Sequence, residues 1–490
     1  MESDSGSEMN RRAFVLRGGA LSAAAVAGRG VYAVLDDFAA PARASAANVS
    51  RWQEQYLIDS LEVILDNATP VIIPPVYNDV FTAKLAPDRT WSKSALAAAQ
   101  KRLESALSRV ESPYPATADG LTIVVAWGLP YFRMFVPVPW QAKAPRDKLL
   151  PAVNGQPQLA LLDAIRFPSD SSDVALEDNH VAFKVRSDSS AIVQSVETQL
   201  FSDTSSPAYV GDLLQLTSRR IGFAGRGFDT PSVAKTLALK AGVTAAQSIP
   251  DRAQLTMGFT STQPAALGPD NIVSFETLPG MTDQFPSGYF AHGCAMHLSH
   301  LDLDLGVWYG RSYGQRVARM FAPSTPVPPD GTVTIPNGPG QVATLAQVES
   351  DAAAGQAGHN SLLQMATRLK ADVIDNYGRL RTKGTGIPVR EDFNTLDHPF
   401  AWYIDSTGAV QTPPATQPGL HFAVFVPTSS RFHAARTAMD GVLPDGTNLR
   451  ARYGLTDDQI GINSSARATH RQNFLVPPRA HRSFPLVELL

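Results

Sequence analysis

The stretch "GYFAHGCAMHLSHLDLDLGVWYG", residues 288 to 310, brings His292, His297, His300 and the single cysteine of the chain, Cys294, within nine positions. Imidazole nitrogens and a thiolate are the donors from which zinc and copper sites are built. Structural zinc sites, however, usually draw paired ligands such as CxxC or HxxxH from two separate loops. On an extended strand side chains alternate, so His292, Cys294 and His300 would share one face and His297 would take the other. Four convergent ligands are then excluded. In a helix His297 and His300 would share a face, but Gly288, Gly293 and the aromatic and leucine content favour a strand. The expectation is therefore a strand carrying polar positions rather than a metal site. The chain contains no GxGxxG, no GxxxxGK[ST] and no HExxH, so nucleotide and zincin chemistry lack their usual signs.

The elements that would position such residues follow from periodicity. "SKSALAAAQKRLESALSRVE" (92 to 111) has helical spacing at Leu96, Leu103 and Leu107, and "LTIVVAWGLPYF" after it predicts a buried strand ending in a turn. "HVAFKVRS" (180 to 187) predicts a strand, and "SSAIVQSVETQLF" a helix with Ile192, Val196 and Leu200 on one face. The second half echoes this order, because strand-like "GLHFAVFVP" (419 to 427) leads into helix-like "SSRFHAARTAMDGV". Between them, "QVATLAQVESDAAAGQAGHNSLLQMATRLKADVI" predicts a long helical pattern interrupted at Gly355 and Gly358. Residues 322–340 hold too many prolines and glycines for a core element and read as a loop or insertion. The fold class expected is α+β, two similar halves with antiparallel sheets.

Together these segments resemble the dye-decolourising (DyP-type) haem peroxidase family, in a divergent form. The resemblance rests on "LTIVVAWGLPYF", "NHVAFKVRSDSSAIVQSV", "GYFAHGCAMHLSHLDLDLGVWY" with its Asp304, Leu305 and Trp308 ending, "AGHNSLLQMATRL", and "GLHFAVFVPTSSRFHAARTAM". It covers most of the chain and implies two ferredoxin-like halves of the dimeric α+β barrel type, bounded at 47–255 and 256–490. It also implies haem b, with His359 as the axial ligand of the iron and His300 and His297 as runners-up. Leu362, Leu363, Ala366 and Leu369 would line an apolar wall of the haem pocket. Hydrogen peroxide would be reduced at the expense of an unspecified electron donor. In the family an aspartate and an arginine assist that step; Arg390 in "IPVREDFNT" takes the arginine's place, with Arg379 and Arg381 as competitors. Ser261, in "MGFTSTQP", stands where the aspartate should be, and a hydroxyl is no general base near neutral pH. Asp229 is the nearest substitute acid. Ser261 favours haem binding without efficient turnover as the alternative; a relative that keeps the fold without the cofactor follows if the match at His359 is accidental.

Composition sets the outer limits. The chain has 490 residues, is 44% hydrophobic and carries a formal charge of -3, which suits a globular protein and provides no basic field for nucleic acid. Arg11 and Arg12 precede a mildly apolar Gly/Ala stretch, and Ala44 and Ala46 satisfy an A-x-A cleavage pattern. Residues 1–46 thus resemble a twin-arginine signal, read by the export machinery and not a stable membrane anchor. Arg17 and Arg29 bracket a segment too short to span a bilayer. A lone cysteine excludes an intrachain disulfide framework.

Overall fold

A computed structural model describes residues 51–66, 69–224, 232–259, 270–327, 342–396, 403–404, 410–411 and 417–490. In the first half, strand β1 (Tyr77–Leu85) leads through helix α1 (Lys93–Glu111) to β2 (Thr122–Gly128), and β3 (Val181–Ser187) leads through α2 (Ser190–Glu197) to β4 (Leu214–Phe223). Their order across the sheet is β4, β1, β3, β2, all neighbours antiparallel. That is the βαββαβ arrangement of a ferredoxin-like unit. Ser92 and Ser189 cap α1 and α2 by accepting from Ala95 N–H and Ile192 N–H, which ends each connecting loop at a defined residue.

The second half repeats the order. Strand β5 (Cys294–Leu303) is followed by helix α3 (His359–Thr367), the short strands β6 (Val389–Arg390) and β7 (Phe393–Thr395), then β8 (Gly419–Val426), helix α4 (Ser429–Met439) and β9 (Ala466–Val476). Here β8 lies between β7 and β5, and β5 pairs on its other side with β9. Two seams join the halves: β7 meets β4 at Asn394 and Phe223, and β9 meets β2 at Phe474–Gly128 and Leu475–Trp127. The eight strands β5, β8, β7, β4, β1, β3, β2 and β9 therefore close into an antiparallel barrel. A barrel of this size leaves an interior that side chains fill.

One end of the lumen is apolar, with Val80, Val124, Met296, Leu298, Phe393, Phe425 and Phe474, and Tyr56, Leu57 and Ile58 pack into it from the N-terminal segment. Elsewhere the lumen is charged: Lys184 and Arg186 of β3 meet Glu391, which stands between β6 and β7. Burial pushes the Lys184 ammonium down to about 8, and Glu391 partly offsets this. The outer face of the first sheet carries α1 and the largest apolar core, where Leu96, Leu103 and Leu107 pack as their spacing predicts. The C-terminal tail crosses this side. Trp127 Nε1 donates to Arg482 O at 2.8 Å, while the buried Arg482 guanidinium meets Glu111 at 2.7 Å and Glu104 at 3.0 Å. No helix among the described residues is long and apolar enough to cross a membrane.

Candidate functional site

The histidine-rich stretch forms the β5 strand only from Cys294 onward, and strand parity holds there. Cys294 and His300 point into the lumen and His297 points out. His292 lies beyond the strand, in left-handed backbone at φ 67°, so it does not share the face of Cys294. Both runner-up ligands are committed to the fold. His297 Nδ1 lies 2.7 Å from Asn473 Oδ1, and its ring stacks on Phe432 at 3.5 Å between centroids. His300 Nδ1 lies 2.7 Å from Thr469 Oγ1 inside the barrel.

His359 is differently placed. Helix α3 begins at this residue, where the predicted long helical pattern breaks into segments Leu345–Ala353 and His359–Thr367, with Gly355 at φ 89° between them. A Cβ on Gly358 would lie 2.2 Å from Phe321 O, and one on Gly461 would lie 3.1 Å from His359 Cα. Only glycine lets both backbones come this close. Ser361 N–H donates to Phe321 O at 3.0 Å and Gly461 N–H to Ala357 O at 2.8 Å, which locks the helix start between these two chains. Further along, α3 packs on α4 through Ala366, Ala435 and Ala438.

His359 is half-buried, with protein on most sides. Burial holds its pKa down to about 3, and the guanidinium groups of Arg390 and Arg436 press in the same direction. Its ring makes no hydrogen bond to a described residue, so neither nitrogen is committed to one, and the lowered pKa keeps the imidazole neutral near pH 7. The four apolar residues expected to form one wall do not do so. Leu362 packs with Val348, Leu443 and Ile460, Leu363 and Ala366 face α4, and Leu369 joins Ile272, Met281 and Ile387. Helical spacing identified a buried face, but three separate cores divide it.

Arg390 reaches the same outer face because it pairs with Val424, whose side chain packs against Phe432 of α4. Next but one along the chain is Asp392, whose Oδ2 lies 3.7 Å from Arg390 Nη1. Its Oδ1 is buried with no hydrogen-bond partner among the described residues. Burial raises this carboxyl from 3.8 to about 6, against the pull of Arg390 and Lys184. An acid poised near neutrality beside an arginine that also acts on an uncommitted imidazole marks a candidate chemical site. Asp392 did not figure among the sequence candidates; what marks it is strand parity, which turns it away from the lumen that Glu391 enters.

Arg379 and Arg381 lie elsewhere. Arg379 meets Asp270 at 3.4 Å on the surface, and Arg381 Nε donates to Asp375 at 2.8 Å. Ser261 and Asp229 lie outside the described residues, as do residues 1–46 and most of the insertion read at 322–340.

The model of a family of unknown function, DUF7405, matches residues 85–478. No curated protein matches the chain. Among solved structures the chain is similar to DyPB from Rhodococcus jostii RHA1, with 11% identity, 84% of this chain and 96% of that one covered, and a TM-score of 0.47. It is also similar to the encapsulated DyP-type peroxidase from Mycobacterium smegmatis, with 14% identity, coverage of 84% and 95%, and a TM-score of 0.45. A dye-decolorizing protein from V. cholerae follows at 12% identity, coverage of 84% and 96%, and a TM-score of 0.42. At such identities and scores these likenesses say nothing about the chemistry of the site, which rests on the residues described above.

Proposed function

The chain belongs to the DUF7405 family, and from its own residues we propose that His359 and its surroundings form a haem site where hydrogen peroxide is reduced and an organic donor oxidised. The observation that carries this reading is the state of His359: a neutral imidazole, with no hydrogen bond to a described residue, fixed at a helix start and facing Arg390. The donor chemistry fits, since haem iron in peroxidases is held by an imidazole. The positive charges of Arg390 and Arg436 also suit an anionic porphyrin. Bound haem would supply the redox iron.

The remaining work belongs to the chain. Arg390, set by the pairing of β6 with β8, presents N–H donors to a peroxide oxygen and stabilises negative charge developing there. Asp392 is ionised above about pH 6, so near neutrality it accepts a proton from the peroxide and returns it to the departing oxygen. It thereby takes the part that Ser261 cannot play.

One observation favours a second reading, haem binding with slow turnover. Both charges acting on His359 are cationic, and no described carboxylate is hydrogen-bonded to its ring. An axial imidazole gains basicity from such a partner, so without one it is a weaker donor. An absorption spectrum of protein purified from haem-supplied cells, followed by peroxide addition, separates the readings. A Soret band that changes with peroxide and recovers with an added donor supports turnover; an inert band supports binding alone; no band after reconstitution refutes both. Export by the twin-arginine route belongs to the same proposal, and Arg11→Lys with Arg12→Lys would then keep the protein inside the cell on fractionation.

A further inference from the structure

His292, which the strand leaves out, meets two glutamates from distant parts of the chain. Its Nδ1 lies 2.7 Å from Glu54 Oε1 and 3.5 Å from Glu276 Oε1. One ligand atom from each of the three residues can be chosen so that all lie within 4.8 Å of one another. The set is therefore an imidazole with two carboxylates, a nitrogen and oxygen donor group, rather than an acidic patch.

Three features distinguish it from a chance meeting of surface groups. First, Glu276 is held from all sides: His292 N–H donates to its Oε2 at 2.8 Å, Tyr377 O–H to its Oε1 at 3.0 Å, and Asn376 Nδ2 to its backbone O at 2.6 Å. Metal-binding carboxylates are oriented by such an outer ring of hydrogen bonds. Second, the charge does not balance. Among the described residues neither Glu54 nor Glu276 forms an ion pair with a lysine or arginine, although the Glu276 side chain is only 2% exposed. Third, His292 adopts φ 67°, a conformation that costs a non-glycine residue about 1 kcal/mol or more, and in doing so aims its N–H at one glutamate and its ring at the other. The imidazole is 41% exposed, which leaves a way in from solvent.

We propose that Glu54, Glu276 and His292 bind a divalent first-row transition cation, with water completing the coordination shell. One imidazole with two carboxylates suits Zn2+ or Mn2+ and leaves open positions. Position gives the ion a role. Glu54 belongs to the segment whose Tyr56, Leu57 and Ile58 fill one end of the barrel, while Glu276 and His292 stand on loops leading into β5. The cation ties that plug to the barrel mouth, and binding energy becomes folding energy. This site shares no residue with the proposed haem site at His359.

The test uses the full chain after removal of metal with a chelator, titrated with Zn2+ alone and Mn2+ alone by calorimetry and with Co2+ by visible absorption. The expected result is one equivalent of bound ion per chain, Co2+ ligand-field bands, and a melting temperature that rises with ion concentration. Glu54→Gln and His292→Asn should each weaken binding at least about tenfold while circular dichroism stays unchanged, asparagine being tolerant of left-handed backbone. Binding should persist unaltered in His359→Ala, which isolates this site from the haem reading. Absence of saturable binding in the parent chain, or equal binding in Glu54→Gln and His292→Asn, would overturn the proposal.

Discussion

Glu391 and Asp392 are neighbours in the chain and opposites in the fold. Glu391 enters the barrel and lies against Lys184 and Arg186, all three nearly inaccessible to solvent. Asp392 turns outward with Arg390, toward the side where α3 and α4 pack. The inner carboxylate is compensated by two cations and holds two sheets together. Its neighbour is buried with one oxygen unpaired, carries a pKa near 6 and lies beside the arginine that acts on His359. Residue type is almost the same in both positions; the pleat alone decides which is structural and which is poised for chemistry.

The comparison breaks most visibly at Glu391. Glu391→Ala leaves Lys184 and Arg186 buried with no counter-charge and should lower stability by about 3–5 kcal/mol in a denaturant titration. A loss comparable to that of an exposed ion pair would place the lumen charges in contact with water.

The pH dependence of Asp392 has the opposite sign to that of a paired carboxylate. Its folded pKa is raised above the unfolded value, so its contribution to stability is complete below about pH 4 and is lost as pH rises through 6, a swing on the order of 3 kcal/mol. Thermal melts between pH 4 and 7 should show that falling component in the parent and not in Asp392→Asn. Equal slopes would mean that the carboxyl is solvated.

The same Asp392→Asn variant should slow the reaction of the haem-loaded protein with peroxide by about 100-fold near neutral pH, with haem content unchanged. An unchanged rate would return Asp392 to a purely structural role. Smallest of all, Arg379→Ala removes an exposed pair with Asp270 and should alter stability by less than about 0.5 kcal/mol and the peroxide rate not at all.

Much of the frame was legible in the sequence. The apolar runs at 122–128 and 181–187 and the helices at 93–111 and 429–439 fall where periodicity put them. Strands β1 and β4 escaped notice for a physical reason: polar residues stand on both faces, Asn78, Thr82, Ser218 and Arg220 in the lumen and Asp79 and Arg219 against the apolar core, so no clean apolar face betrays a strand. His292 was assigned by extending strand parity past the true end of β5, where left-handed backbone resets the side-chain direction. Asp392 stayed hidden because "RED" offers three adjacent charges, and only pairing to β8 tells which enters the barrel. A helix pattern likewise says that Leu362, Leu363 and Leu369 are covered, but not by what.

His359 is the residue proposed to hold haem. The most direct test of this role is the haem content of His359→Ala beside that of the parent chain, both purified from haem-supplied cells and read by Soret absorption and pyridine haemochrome. Loss of the bound haem is expected, with the far-ultraviolet circular dichroism unchanged, since the His359 ring makes no hydrogen bond to a described residue that the fold would miss. Full haem occupancy in His359→Ala would contradict that role.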